Sequence, residues 1–128
     1  MTGDRGGMTV AMAGLMATVI LVSGAVAGLG GLLAARAQAQ NASDAGALAA
    51  AVATYQPAAG VDPVDSAGAA VAANGARLLD CRCPRDASLD PRIVEVIAGV
   101  EVVVPVFGNL LVRGSSRAEF DPRRWLGR

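Results

Sequence analysis

Residues 8–35, MTVAMAGLMATVILVSGAVAGLGGLLAA, form a run of 28 residues without a charge, in which Thr9, Thr18 and Ser23 are the only polar side chains. The hydrocarbon core of a bilayer is about 30 Å thick and needs about 20 apolar residues at 1.5 Å rise each, so the run spans it with tilt to spare. A core helix of a soluble domain seldom goes so long without a charge. The apolar centre of a cleavable leader is shorter, about 7–15 residues. Length therefore points to a membrane-spanning helix, and the rest of the chain reads as what that helix carries.

A chain of 128 residues has room for one such anchor and one small domain. Its 11 basic and 11 acidic residues cancel, so no overall field draws nucleic acid. Every basic residue is Arg, which points to coding bias more than to a selected contact. There is no His and only 3% aromatic residues, which removes the commonest general base, the commonest metal ligand and most base-stacking platforms. No cofactor and no small-molecule substrate are expected.

On the N-terminal side of the run, residues 1–7 (MTGDRGG) are too few for a domain. Arg5 and the chain's amine precede the run and Arg36 follows it, which favours a cytoplasmic N-terminus with the bulk of the chain extracytoplasmic. Within the run, Gly24, Gly28 and Gly31 lie one turn apart on a face and would let a partner helix approach closely inside lipid.

On the C-terminal side, helix formers continue through 36–56. There Ala45, Leu48, Val52 and Tyr55 recur with helical spacing and predict an apolar stripe that the rest of the chain would cover, and Pro57 and Gly60 end the helix. Ala37-Gln38-Ala39 before Gln40 has the small-x-small form cut by signal peptidases, so release of a secreted binding protein after Ala39 is the alternative reading. Asn41-Ala42-Ser43 has the form of a glycosylation sequon and carries no weight without a glycosylating pathway.

Residues 57–112 read as a small α+β domain. Asp62-Pro63 or Asp65-Ser66 can cap a second short helix that Asn74-Gly75 closes. Residues 77–83 alternate as a strand, and 93–97 and 100–106 are β-branched runs separated by Ala98-Gly99, with Pro105 implying an edge. Three short strands make an antiparallel sheet whose apolar face lies on the long helix. Residues 113–128 read as a basic, flexible tail in which only Phe120 and Trp125 could dock.

Chemistry-bearing groups are few. Cys81 and Cys83 are the only cysteines, and a zinc site wants about four ligands, so no metal is expected there. Neighbours at i and i+2 on a strand lie about 6.6 Å apart at Cα, near the upper end for a disulfide, which leaves a mutual bridge, intermolecular bridges and two buried thiols all open. Ser115 and Ser116 have no His to activate them, and Glu95, Glu101, Asp86 and Asp90 read as solvated carboxylates. Gly28-Leu29-Gly30-Gly31 lacks the strand and Lys of a phosphate loop. The chain is not expected to be an enzyme.

The order of parts carries a resemblance. RGGMTV entering the apolar run, LLAARAQAQNASDAGALAAAVA, VAANGARLLDCRC and the valine strands together resemble the TadE/TadG-like proteins of GC-rich bacteria, over residues 5–106. Residues 36–53 and Asn74-Gly75-Ala76 leading to Cys81 are the most specific parts. The resemblance implies a single-pass, pilin-like protein of the bacterial cell membrane that takes part in assembling a Tad (Flp) type pilus or pseudopilus secretion system. Its partners would be other pilin-like subunits met through the N-terminal helix. Gly6 and Gly7 become candidates for prepilin-type processing, although no acidic residue follows them until Asp44, where such precursors carry one shortly after a Gly. Related proteins often pair a Cys at the start of the second helix with the later one; Ser66 stands there, and the second Cys is Cys83. The fold expected is α+β and pilin-like: a long N-terminal transmembrane helix packed on a small antiparallel sheet with a second short helix.

Overall fold

The computed structural model describes residues 5–55, 60–104 and 107–127, apart from the side chains of Arg5, Gly6 and Trp125. Pro57 and Pro105, read from sequence as a helix stop and an edge marker, lie outside the described residues, as do residues 1–4 of the head.

Helix α1 runs unbroken over Arg5–Ala53, 49 residues. Helix α2 (Pro63–Ala73) follows, then strands β1 (Arg77–Arg82), β2 (Arg92–Val104) and β3 (Gly108–Phe120), and a last turn of helix, α3 (Pro122–Trp125). The three strands form one antiparallel sheet in the order β1-β2-β3. The expected α+β layout is present: a long helix, a second short helix and a small antiparallel sheet. Helix α2 starts where the sequence signals place it, since the Asp62 side chain accepts a hydrogen bond from the Val64 amide and Pro63 occupies the first turn. At its other end Asn74 caps the helix and Gly75 takes the left-handed conformation, φ 70°.

Helix α1 changes surroundings along its length. Up to Ala34 its described side chains are exposed apart from partial cover at Gly28 and Leu32. From Ala35 onward one face is buried by α2, β2 and β3. That face consists of small residues, Ala35, Ala39, Ala42, Gly46, Ala50 and Ala53, at spacings of three and four. The expected stripe is corrected here in part: Leu48 is 66% exposed and Val52 41%, so these two face outward, while Ala45 is half-buried and Tyr55 packs against the core. The reason is distance. A Cβ on Gly46 would stand 2.7 Å from Val71 Cγ2 and 3.1 Å from Val96 Cγ1, and a Cβ on Gly114 of β3 would overlap the Ala39 backbone. A sheet this close to the helix axis leaves room only for alanine, glycine and serine between them. Val71, Val94, Val96 and Phe120 fill the remaining core.

The strand boundaries also differ from expectation. Residues 93–97 and 100–106 do not make two strands; Ala98 and Gly99 continue within β2, and Gly99 leaves the space that Leu79 and Leu111 fill across the sheet. The third strand is β3, which takes in residues 113–120 of the expected flexible tail. β3 pairs along its whole length, from Arg92↔Phe120 to Val104↔Gly108. Phe120 belongs to the core and is not a free docking residue. Residues 121–125 are held by Asp121, whose side chain accepts from the Arg123 amide.

Arg92 closes the far end of the domain. Its guanidinium is buried and donates to the carbonyls of Thr54, Asp86, Ser88 and Asp90, tying residues 86–90 to the C-terminal end of α1. Arg92→Ala would orphan these carbonyls, and full-length protein in detergent is expected to lose about 2–4 kcal/mol on urea unfolding. Gly114→Val, which drives side-chain atoms into the Ala39 backbone, is expected to cost about 1–3 kcal/mol, with Ser115→Ala beside it on the exposed face as the near-neutral control.

Candidate functional site

The chain buries little of its most apolar element. Val10, Met16, Ile20, Leu21, Val26 and Leu29 are all more than half exposed, and they point to different sides of α1. Of the described helices, α1 alone is long and apolar enough to cross a membrane, and the apolar window that meets this test is wholly unburied. This uncovered length is the surface on which the chain can act, and everything C-terminal to it is supported by the continuation of the same helix.

Gly24, Gly28 and Gly31 lie on the same helical stripe as Ala35, Ala39, Ala42 and Gly46, because the spacings of four, three and four residues continue through Ala35. Apart from the neighbouring backbone of α1 itself, no described atom lies within 4 Å of a Cβ built on any of the three. The small-residue face that meets the sheet above thus runs down as an unfilled stripe below it, with the larger side chains of α1 on the opposite side.

The processing candidates sit in different settings. Gly6 and Gly7 are already helical at the start of α1. Ala39 is fully buried in the middle of α1, facing Gly114. Its neighbours are engaged as well: Gln38 Nε2 donates to the carbonyls of Asn74 and Gly75 at 3.0 and 3.2 Å, and Gln40 Nε2 donates to that of Ser115 at 3.0 Å. A cut after Ala39 would take Ala35, Gln38 and Ala39 out of the domain they help to hold.

Cys81 and Cys83 are joined in a disulfide, with Cα atoms 5.4 Å apart. The longer spacing expected from a fully extended strand does not apply, because β1 ends at Arg82 and Cys83 lies beyond its pleat. Both residues pack against the core. The carboxylates read as solvated do not converge. Glu95 contacts Arg82 at 3.7 Å and Arg117 at 3.2 Å, Glu101 contacts Arg77 at 3.3 Å, and Asp90 contacts Arg123 at 3.4 Å. Among the described residues no three Cys, Asp or Glu side chains gather where they could hold a metal ion. Ser66 lies in α2 and the two cysteines are paired with each other, and Ser115 and Ser116 are on β3.

The backbone amide and hydroxyl of Ser88 both donate to the Asp86 carboxylate, and these hydrogen bonds hold its pKa below the ordinary value. Sequence reasoning missed two features of this surface. Arg36 and Arg113 rim one open depression of about 400 Å³ floored by Gly114, which joins residues 77 positions apart in sequence. Arg77 and Glu101 form an ion pair at the end of β1. The pairing of β1 with β2 and of β2 with β3, and the closeness of Gly114 to α1, bring these groups to one level, and none of these is encoded locally.

Comparison with known proteins bears on the same helix. Residues 6–53 match the Tad family model, described as "Putative Flp pilus-assembly TadE/G-like". The match covers α1 and ends with it, and the sheet lies outside. The resemblance read from sequence is supported over that helix. No curated protein and no solved structure matches the chain.

Two outcomes test the local chemistry. Alkylation of the unfolded, unreduced chain is expected to leave its intact mass unchanged, while prior reduction adds two adducts; because the ring spans so few residues, opening it should cost only about 1.5 kcal/mol. Because Asp86 has a lowered folded pKa, its contribution is present above the ordinary carboxylate value of 3.8 and is lost as pH falls through the folded pKa. Asp86→Asn should lower the thermal midpoint at neutral pH and converge with the parent in acid.

Proposed function

We propose that this chain is a non-enzymatic, pilin-like envelope protein that takes part in assembling a Tad (Flp) type pilus or pseudopilus secretion system. The observation that carries the reading is α1, whose matched residues 6–53 combine an uncovered apolar half with a half that serves as the spine of a folded domain. A subunit of this design is held by the membrane through one half and presents its domain on the other. The N-terminus is cytoplasmic and the domain extracytoplasmic in this reading, in keeping with Arg5 before the run and with a disulfide, which persists in oxidising compartments.

Partners are other pilin-like or Tad subunits, met through α1. Gly24, Gly28 and Gly31 offer the close approach, since their stripe is open. Because this stripe continues the sheet-packed face, a neighbouring helix seated there would lie on the same side of α1 as the chain's own sheet. The domain contributes contacts and no catalysis. Release after Ala39 is the less favoured alternative, because Ala39 and Gln38 are built into the fold.

The stripe is tested by Gly28→Leu, which fills it without adding charge. Disulfide crosslinking between single cysteines placed in neighbouring copies' runs, in native membranes, is expected to fall about tenfold, the equivalent of about 1.4 kcal/mol of helix association. Crosslinking unchanged by Gly28→Leu would place the contact on another face of α1.

A further inference from the structure

The β2–β3 pair extends well past the rest of the domain. β1 stops pairing at Arg77↔Gly99, so Val100–Val104 and Gly108–Val112 continue as a two-stranded ribbon. Residues 102–112 read VVVPVFGNLLV, in which Asn109 is the only polar side chain. Val103 is 74% exposed and Phe107 86%. Large apolar side chains exposed together at the end of a two-stranded ribbon mark a contact surface.

The direction of the ribbon is set by two contacts. Arg92, opposite Phe120, reaches the Thr54 carbonyl, and Gly114 meets Ala39. From Thr54 back to Ala39 the helix descends about 22 Å, and from Phe120 back to Gly114 the strand covers about 20 Å, so the two run nearly parallel. From Gly114 the ribbon continues for six residues to Gly108, about 20 Å further along α1 toward its N-terminus. Gly28 and Leu32, the two partly covered residues in a run otherwise exposed up to Ala34, lie on the same side of α1 as Ala35 and Ala39.

That level is where a bilayer surface falls. The apolar run is about 42 Å long as a helix against about 30 Å of hydrocarbon, so an upright α1 entering the hydrocarbon at Met8 would leave about 12 Å, roughly residues 28–35, in the headgroup layer on the domain's side. At the base of the ribbon sit Arg36, Arg77, Arg113 and Glu101, the first charges above the apolar run and the apolar tip. Three arginines against one glutamate suit anionic headgroups, and their long stems let the charges stay at the interface. The open strand edges set the depth, because unpaired backbone groups are not tolerated in hydrocarbon.

We propose that the tip of the β2–β3 ribbon, centred on Phe107, is seated in the headgroup layer of the same bilayer that α1 crosses, as a second membrane contact that fixes the tilt of the domain. This rests on the membrane-spanning reading of α1, and the test separates the two. Full-length protein carrying Trp125→Phe is reconstituted in vesicles of phosphatidylcholine and phosphatidylglycerol. Phe107→Trp or Met16→Trp is then added as the sole tryptophan, and quenching by brominated acyl chains is measured. The expected result is strong quenching at 16 and quenching about half as strong at 107, in keeping with a depth of about 5–10 Å at the acyl boundary. Quenching at 16 with solvent-like, unquenched emission at 107 overturns the ribbon contact and leaves the span intact. A blue-shifted but unquenched signal at 107 also overturns it, since the tip would then be covered by protein. Absence of quenching at both positions overturns the span and the ribbon contact together.

Discussion

The fold depends on how closely the sheet approaches α1. With Gly114 against the Ala39 backbone and Gly46 beneath Val71 and Val96, helix and sheet meet at a distance that only alanine, glycine and serine can occupy. Alanine burial gains less per residue than leucine burial, but the close approach brings many atoms into contact and spares the side-chain entropy that larger residues would lose. The same constraint sends Leu48 and Val52 outward. It also explains why β3 carries Gly114, Ser116 and Ala118 at successive inward positions before Phe120 closes the core.

One helix therefore works in two settings without a break in its backbone. Among the described residues nothing buries the apolar window of its N-terminal half, and its C-terminal half cannot be removed without dismantling the domain. The register between Ala39 and Gly114, three residues past Arg36, places the base of the sheet just above the end of the apolar run. A domain mounted this way has little freedom to swing about α1, because α1 is part of its core. In an assembly of such subunits, the orientation of each domain would follow from the packing of the helices.

Much of this was legible in the chain itself. The uninterrupted apolar run and the helix formers after it define α1, and Asp62-Pro63 and Asn74-Gly75 mark both ends of α2 through local hydrogen bonding and a left-handed glycine. The alternation of residues 77–83 finds β1, since half-buried strands write their period into sequence. β3 was not legible: its inward positions are small and its outward ones are Arg113, Ser115, Arg117 and Glu119, so the pattern looks like a solvated tail. Gly99 looked like a strand break and is instead a gap filled by Leu79 and Leu111. The role of Arg92 was hidden as well, because its partners are backbone carbonyls from two distant segments.

The central claim is that α1 remains whole, with its first half retained by the membrane and its second half in the domain. The direct test is fractionation of cells expressing the full chain, followed by intact-mass measurement of the recovered protein. The account predicts a membrane-bound species of 12.8 kDa, or one shortened only through Gly6 or Gly7. A soluble species beginning at Gln40 would contradict it.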